Sequence, residues 1–428
     1  MISAILFISF FIFLILGVPI GICLGLSSVC AILYSGTSLT IVATNMYSGI
    51  SKFLLLAIPF FVLSGNIMAK AGISKRLIKF VDTCVGHKKG GIAIVCVIVA
   101  CFFGAISGSG PATVAALGAV LIPAMVEQGG FSAPFSTALM ATSSSIAIVI
   151  PPSIAFVVYA SITGTSIADM FMAGIVPGLL MGVALVIVVM LEAKKHNIKP
   201  SREKASGKER WDAFKDAFWG FLMPIIILGG IYSGIFTPTE SAVVAAVYGI
   251  IVAMFVYREL TPKGLWESVK ETMSITGRLG IIWAVSTAYG EVMAMYQIPS
   301  MLSEWLMSIT RNPYVIWLLI CIFLTFMGCI MNSMSQVIIF TPIFAPVVQA
   351  VGIDLMHFAI IFVLNAEIGF LTPPLGTNLF VAMDQAKCSL GEISKAVIPF
   401  ILFLFLMMAI LIILPQISLW LPQTFLSV

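Results

Sequence analysis

Long apolar runs dominate the chain. Segments 4–33, 53–71, 134–160, 171–191, 217–235, 238–257, 277–297, 355–383 and 396–421 each predict a membrane-crossing segment, at roughly 20 residues per crossing. Two further apolar stretches, 91–127 and 313–350, are interrupted at Ser107–Pro111 and Asn332–Gln336. Each half is too short to cross alone. Each stretch therefore predicts a re-entrant helical hairpin that enters and leaves on one side. Non-helical backbone at that depth is tolerated only where protein buries it or where it lines a cavity.

The interruptions recur. Gly65, Met68, Ala69 and Ile73 match Gly290, Met293, Ala294 and Ile298. Gly104, Ser109 and Pro151–Pro152 match Gly328, Ser333 and Pro373–Pro374. The chain is a duplicated unit, and both copies carry helix-breaking segments inside apolar sequence. Paired interruptions of this kind point to the binding site of a membrane transporter.

Composition agrees with a lipid environment. The 428 residues are 60% hydrophobic and 9% charged, with a mean hydropathy of +1.14. The first charged side chain is Lys52, so the N-terminus lacks the basic start of a cleaved signal and is expected to remain as a membrane segment. A net charge of +4, carried in loops, gives no reason to expect a nucleic-acid partner. The eight cysteines show no CxxC spacing and read as small hydrophobic residues.

Charge asymmetry gives an orientation. Residues 70–89 hold Lys70, Lys75, Arg76, Lys79, Lys88 and Lys89 against Asp82, whereas their counterpart, 295–312, holds only Arg311 against Glu304. Loops 192–215 and 258–275 are also basic. The positive-inside bias opens the first hairpin to the cytoplasm and the second to the opposite face. The repeats are then inverted. Residues 70–86 and 298–311 predict short amphipathic helices along the interface, expected to brace the hairpins rather than serve as plain connecting loops.

A second interruption follows each hairpin: Ala141 to Ser153, ending in Pro151–Pro152–Ser153, and Asn365 to Asn378, containing Thr372–Pro373–Pro374–Leu375–Gly376–Thr377–Asn378. Two adjacent prolines remove two backbone donors and push the preceding residue out of the helical region. The break frees carbonyls on one side and amides on the other. Carbonyls and hydroxyls are hard oxygen ligands for Na⁺, and half-helix N-termini attract a carboxylate.

Two cation sites are therefore expected. One uses Ser107, Gly108, Ser109 and Gly110 with Ser145 through Ile150. The other uses Asn332 and Ser333 with the Gly369–Thr372 turn. The substrate is expected between them, against Ser144, Pro152, Ser153, Pro374, Gly376, Thr377 and Asn378. The competing explanation is that small and hydroxyl residues simply let helices pack closely. Four interruptions in two matched pairs favour the binding reading. No Lys or Arg lies in either hairpin or either double-proline segment. An anionic substrate would have to rely on helix ends, hydroxyls and bound cations.

Other polar residues read mostly as structural. Thr237-Pro238-Thr239-Glu240, Ser166–Asp169 and Ser389–Glu392 predict helix caps. Glu367 lies in a spanning segment, where an acid is expensive and usually functional. It is expected to bond amides freed by the break, with proton relay as the second role. Glu291 is expected to brace in a similar way.

GSGPATVAALG with a following IPPS, the TPTE turn and TPPLGTN in the second half resemble the large membrane subunit of tripartite ATP-independent periplasmic (TRAP) transporters, across essentially the whole chain. The resemblance implies an all-α polytopic fold of two inverted repeats and an elevator-type Na⁺ symporter of the ion-transporter superfamily. It implies a bacterial inner-membrane location and Na⁺ as the coupled ion. The expected partners are a small four-helix membrane subunit, on a separate chain here, and a periplasmic substrate-binding protein. The substrate would be an organic acid of the C4-dicarboxylate or sialic acid type. Scaffold helices and the first arm would occupy 1–90. The transport domain would take 91–191, with its hairpin at 91–127 and broken helix at 134–160, and 313–395, with its hairpin at 313–350 and broken helix at 355–383. A basic cytoplasmic loop would lie at 192–216, further scaffold and the second arm at 217–312, and a C-terminal transmembrane helix at 396–428.

The nearest rival is a stand-alone Na⁺-coupled carboxylate symporter that needs no binding protein. An intramembrane hydrolase using Ser107 or Ser109 would need a nearby base, and the only histidines, His87, His196 and His357, are expected in or beside loops. No G-x-x-x-x-G-K-[ST] loop exists to drive a nucleotide-powered pump. The chain reads as a transporter and not an enzyme.

Overall fold

A computed structural model describes residues 1–310, 312–373, 376–386 and 388–425. These residues fold as α-helices with short turns, and eight of the helices are long and apolar enough to cross a membrane. The chain starts with α1 (Ile2–Ile15), α2 (Ile20–Ser35) and α3 (Thr40–Ile50). The run 4–33, expected as a single crossing, is thus two helices packed on each other. Gly17 sits at φ +78° and Pro19 lacks a donor, so Leu16–Pro19 breaks the run. The uncharged stretch 34–51 carries α3, a helix that apolar run length alone passes over.

A tight turn at Phe53–Leu56 leads into the first repeat. It comprises α4 (Ala57–Lys70), α5 (Ile73–Val85), α6 (Gly91–Ser107), α7 (Gly110–Glu127), α8 (Ala133–Val149), α9 (Ile154–Thr163) and α10 (Ile167–Lys195). Two helices follow, α11 (Gly207–Tyr232) and α12 (Pro238–Ile251), the latter ending in a π-turn at Val252–Val256. The second repeat is α13 (Pro262–Met295), α14 (Ile298–Ile309), α15 (Pro313–Gly328), α16 (Ser333–Ala350), α17 (Leu355–Phe370), α18 (Thr377–Met383) and α19 (Leu390–Ile413). A last helix, α20 (Gln416–Phe425), completes the described chain. The expected single helix at 396–428 is thus α19, which starts at Leu390, and α20. Leu414–Pro415 divides them because proline cannot continue the backbone ladder.

Both hairpins form, as α6–α7 and α15–α16. Their helices hold 16 to 18 residues, about 24–27 Å at 1.5 Å per residue. That is short of a roughly 30 Å hydrocarbon core. Gly108 closes the first tip in the left-handed region, at φ +59°. The second tip lies earlier than the expected Asn332–Gln336 interruption. Asn332 Oδ1 accepts the Ser335 amide at 2.8 Å, which caps α16 and starts it at Ser333.

Each hairpin packs on the first half of its own broken helix, α6 and α7 on α8, α15 and α16 on α17. Each also reaches across to the other repeat: α7 meets α18, and α16 meets α9. A β-carbon added to Gly104 would lie 2.6 Å from Ala147 Cα, and one added to Gly328 would lie 2.6 Å from Gly369 Cα. These are matched positions of the two repeats, and both demand near backbone contact. Asn365 adds a polar tie, donating to Cys321 O at 3.1 Å and accepting from Thr325 at 2.9 Å.

Around this core stand α1 to α4 and α11 to α13. The two amphipathic helices, α5 and α14, pack against the hairpins, α5 on α6 and α14 on α16. Arg76 on α5 binds Asp216 of α11 at 3.1 Å and Glu259 at 2.6 Å, and its guanidinium lies 3.9 Å from the centre of the Tyr257 ring. Arg202 ties Asp82 of α5 at 2.9 Å to Glu209 of α11, and this pairing holds the Glu209 carboxyl below its ordinary range. Thr237–Glu240 and Ser389–Glu392 form reciprocal capping boxes. At Ser166–Asp169 the Ser166 hydroxyl accepts the Asp169 amide at 3.3 Å. Aspartate is one methylene too short to complete the box.

Candidate functional site

The two hairpin tips line one space, and the first tip meets the breaks of both α8–α9 and α17–α18. A cavity of about 700 Å³ touches both tips, through Ser107, Gly108 and Ser109 on one side and Asn332 and Ser333 on the other. Thr377, at the start of α18, lines the same space. The opposite wall comes from α4 and α13, with Asn66, Lys70, Glu271 and Arg278. Asn66 donates to Thr272 at 3.2 Å and Lys70 pairs with Glu271 at 3.0 Å; among the described residues, Arg278 bonds only its own Ser274 carbonyl, at 3.2 Å.

The first tip is held by its own hydroxyls. Ser107 and Thr113 share a hydrogen bond of 2.9 Å, and Thr113 donates to the Ser109 carbonyl at 2.8 Å. A β-carbon at Gly108 would stand 2.9 Å from the Pro152 carbonyl. One at Gly110 would stand 3.0 Å from the Asn378 amide nitrogen. Tip one therefore touches both breaks, its own and that of the other repeat. Ile150 terminates α8, buried beside the break. Ser153 caps α9, accepting the Phe156 amide at 3.4 Å and donating to the Ile148 carbonyl. Its hydroxyl closes the gap left by the prolines. Ser144 donates to Ala141 O in its own helix at 2.6 Å and does not line the cavity.

In the second repeat, Gly369 is fully engaged against Gly328, and the Thr372 hydroxyl donates to Ile368 O at 2.9 Å. Gly376 sits at φ +34° and opens α18. Pro374 and Leu375 lie outside the described residues, as does Arg311. Asn378 is buried and donates to Ser145 Oγ at 3.2 Å, joining the two breaks. Ser333 donates to Glu367 Oε1. Glu367 therefore bonds a hydroxyl across the hairpin, not the freed amides expected of it. Gly376, Thr377 and Asn378 gather at one helix start, while Ser144 and Ser153 face inward on the other repeat.

A second cavity, of about 360 Å³, lies between α13 and α16 and takes in Lys52, Glu291 and Gln349. Glu291 is exposed there. Lys52 reaches the Ser161 carbonyl at 2.6 Å. The charged wall of the central cavity is absent from the sequence reading, although one signal was available: Arg278 falls inside the apolar run 277–297, where a charge is out of place. Among the described residues, no group of three or more His, Cys, Asp or Glu could hold a metal ion. The oxygens at the tips are carbonyls, hydroxyls and amides, and the Glu367 carboxylate bonds Ser333 at the second tip. Such a donor set suits a hard, weakly charged cation.

The family model for the tripartite ATP-independent periplasmic transporter, DctM component, matches residues 7–417. The chain is 40% identical, over 96% of its length, to the isethionate TRAP transporter permease protein DctMQ of Oleidesulfovibrio alaskensis, and spans 64% of that relative. It is 40% identical to the C4-dicarboxylate TRAP transporter large permease protein DctM of Pseudomonas aeruginosa, covering 94% of this chain and 93% of that one. It is 36% identical to the sialic acid TRAP transporter large permease protein SiaM of Vibrio cholerae, covering 96% of each. Among solved structures, the YdaH transporter of Alcanivorax borkumensis superposes with a TM-score of 0.63 at 14% identity, over 89% of this chain and 87% of that one. That likeness concerns the fold.

Proposed function

Because the chain belongs to the DctM component family of tripartite ATP-independent periplasmic transporters, we propose that it is the permease through which a small organic acid enters the cell, coupled to Na⁺. The observation that carries this reading is the convergence of both hairpin tips and Thr377 on one cavity of about 700 Å³. A cavity of that size holds a small carboxylate with its solvent. Cations at the two tips would supply the positive potential that the hairpins themselves lack. Relatives of this chain carry isethionate, C4-dicarboxylate and sialic acid in their names, all anions at neutral pH. The substrate proposed here is an acid of that class.

The cavity's charged rim lies at the end of the molecule that bears the basic loops. Lys70 ends α4 and leads directly into α5, whose Asp82 is tied to the 192–216 loop by Arg202. By the positive-inside bias that end is cytoplasmic, so this arrangement is read as the inward-facing one, with the repeats inverted. The hairpins and broken helices would move as a body against α1 to α4 and α11 to α13. In the inward-facing state, Lys70 and Arg278 would receive the carboxylate as the tips release it. A small membrane subunit and a periplasmic binding protein would complete the system in the inner membrane.

The test is uptake of radiolabelled succinate, isethionate and sialic acid into proteoliposomes, with and without a Na⁺ gradient, the small subunit and the cognate binding protein. Accumulation that requires all three is the expected result. Accumulation by this chain alone would replace the tripartite reading with an autonomous symporter. Accumulation indifferent to Na⁺ would remove the coupling.

A further inference from the structure

The cavity of about 360 Å³ between α13 and α16 is lined by polar groups with bonding capacity to spare. Lys52 donates to the Ser161 carbonyl at 2.6 Å, which uses one of the three hydrogens of its ammonium group. Ser286 is 3% exposed, and among the described residues its hydroxyl has no hydrogen-bond partner. Glu291 lines the same space, yet among the described residues it forms no ion pair with Lys52. A buried hydroxyl left unpaired beside a lysine is costly unless a ligand completes it.

This space is not a lobe of the central cavity. Glu291 stands 13 residues along α13 from Arg278, roughly 20 Å at 1.5 Å per residue. Lys52 precedes α4, whose far end carries Lys70. The scaffold nevertheless presents the same wall twice. Gly65, Asn66 and Ala69 line the central cavity, and the offset that brings Gly65 onto Gly290 brings Asn66 onto Glu291 and Ala69 onto Ala294, which line this one. Charge narrows the ligand. Asp169, Glu304 and Asp354 lie at the same end of the molecule, a few residues from the lining residues Thr163, Pro299 and Leu355. Among the described residues, Lys52 is the one lysine or arginine at that end. An acid arriving there meets a mostly acidic surface with its one lysine inside the cavity, and a cleft of this kind focuses attraction onto that point.

We propose that this cavity is a second anion site, where an incoming organic acid rests before the hairpins collect it. Lys52 takes the carboxylate or sulfonate, and the Ser286 hydroxyl donates to the same group. Glu291 opposes a second negative charge, so the site favours acids with one anionic head. The volume suits a small organic acid. The proposal rests on the organic-acid permease reading above and adds to it a site outside the central cavity.

The test is cysteine labelling of the full chain in proteoliposomes, with the eight native cysteines replaced and Gln349→Cys as the reporter within the lining. A small, neutral, membrane-impermeant maleimide is the label. Succinate, isethionate and sialic acid are titrated against chloride at equal ionic strength, and at least one of them should slow the labelling. Lys52→Gln should raise the half-protecting concentration about fivefold, the loss of one charge-assisted contact. Lys52→Arg should keep the wild-type value, and Glu291→Gln should lower it. Arg278→Gln should leave it unchanged. A Lys52→Gln value equal to the wild type's overturns the proposal. A rise in Arg278→Gln that matches the one in Lys52→Gln also overturns it, because the acid would then act from the central cavity. Should Lys52→Gln fail to fold, Glu291→Gln decides: a lower value supports the site, and an unchanged or higher one overturns it. Uptake by the wild type with its partners separates the two readings. Accumulation without protection overturns the second site alone, whereas protection without accumulation overturns the permease reading and leaves an anion site.

Discussion

At the scale of single residues, chemistry is divided between two walls. The hairpin side offers hydroxyls, carbonyls and one acid. The scaffold side offers Lys70, already paired with Glu271 at 3.0 Å, and Arg278, which among the described residues bonds only its own helix. Arg278 is therefore the cation with capacity left for a substrate carboxylate. A charge-assisted contact to a partly solvated carboxylate contributes on the order of 1 kcal/mol, which is about fivefold in affinity. Arg278→Gln should raise the KM for substrate roughly fivefold in reconstituted uptake, while the Na⁺ midpoint stays at the wild-type value. An unchanged KM would return Arg278 to a purely solvated role. Much of the hairpin wall was legible in sequence, because Ser107–Gly110, Asn332–Ser333 and Thr377–Asn378 stand out as polar text in apolar context. The scaffold wall was not, because nothing in a one-dimensional pattern tells which face of α13 meets the tips. Glu367 stood out as costly, yet its partner, Ser333, is 34 residues away, beyond any local spacing rule.

At the scale of elements, each hairpin is seated on its own broken helix by small-residue contacts that leave no room for a methyl group. Gly328 against Gly369 seats α15 on α17, and Gly104 against Ala147 seats α6 on α8. Gly328→Ala forces two backbones apart and should cost about 1–3 kcal/mol, the usual range for overpacking. Gly104→Ala should cost a similar amount at the matched position. Gly277→Ala is the control, since nothing lies within 4 Å of its added carbon. Melting curves of the three purified variants test this, with lower midpoints expected for the first two alone. Equal midpoints in all three would mean that the helices shift to accept the methyl groups. Hairpins, broken helices and arms were readable because proline pairs, glycines and amphipathic spacing act within a few residues. The splits at Leu16–Pro19 and Leu414–Pro415 are masked by the length of the apolar runs that contain them. There Pro19 and Pro415 each remove a donor, and the run ends despite its hydrophobicity. α3 escaped for the opposite reason: Thr40–Ile50 is too short and too mixed to register as an apolar run.

At the scale of the whole molecule, the two repeats are matched in sequence but not in their contacts with the scaffold. Gly65 of α4 faces the first tip, where an added β-carbon would lie 3.0 Å from Ser107 Cα. Its counterpart, Gly290 of α13, faces the second hairpin far from its tip, with Pro342 Cβ 3.4 Å from an added β-carbon. By the offset that brings Gly104 onto Gly328, Ser107 corresponds to position 331, so the two contacts differ by 11 residues of helix. At 1.5 Å per residue that is roughly 16 Å. A symmetric pair of repeats in one fixed arrangement would have no reason to differ by this much. A body of hairpins displaced along the scaffold would, and exchanging the roles of the repeats describes the opposite end of its travel. There Gly290 would meet the second tip, and Gly65 would meet Gly118, the counterpart of Pro342. The proposed movement can thus be tested with two cysteine pairs, in a chain whose eight native cysteines have been replaced. Gly290→Cys with Pro342→Cys has the β-carbon spacing of a disulfide in the present arrangement. It should crosslink readily and stop uptake until a reductant is added. Gly65→Cys with Gly118→Cys should crosslink only when the hairpins travel, and should then also stop uptake. If the first pair closes and transport continues at the wild-type rate, the hairpins do not move past α13, and a fixed-scaffold elevator is the wrong description of this permease.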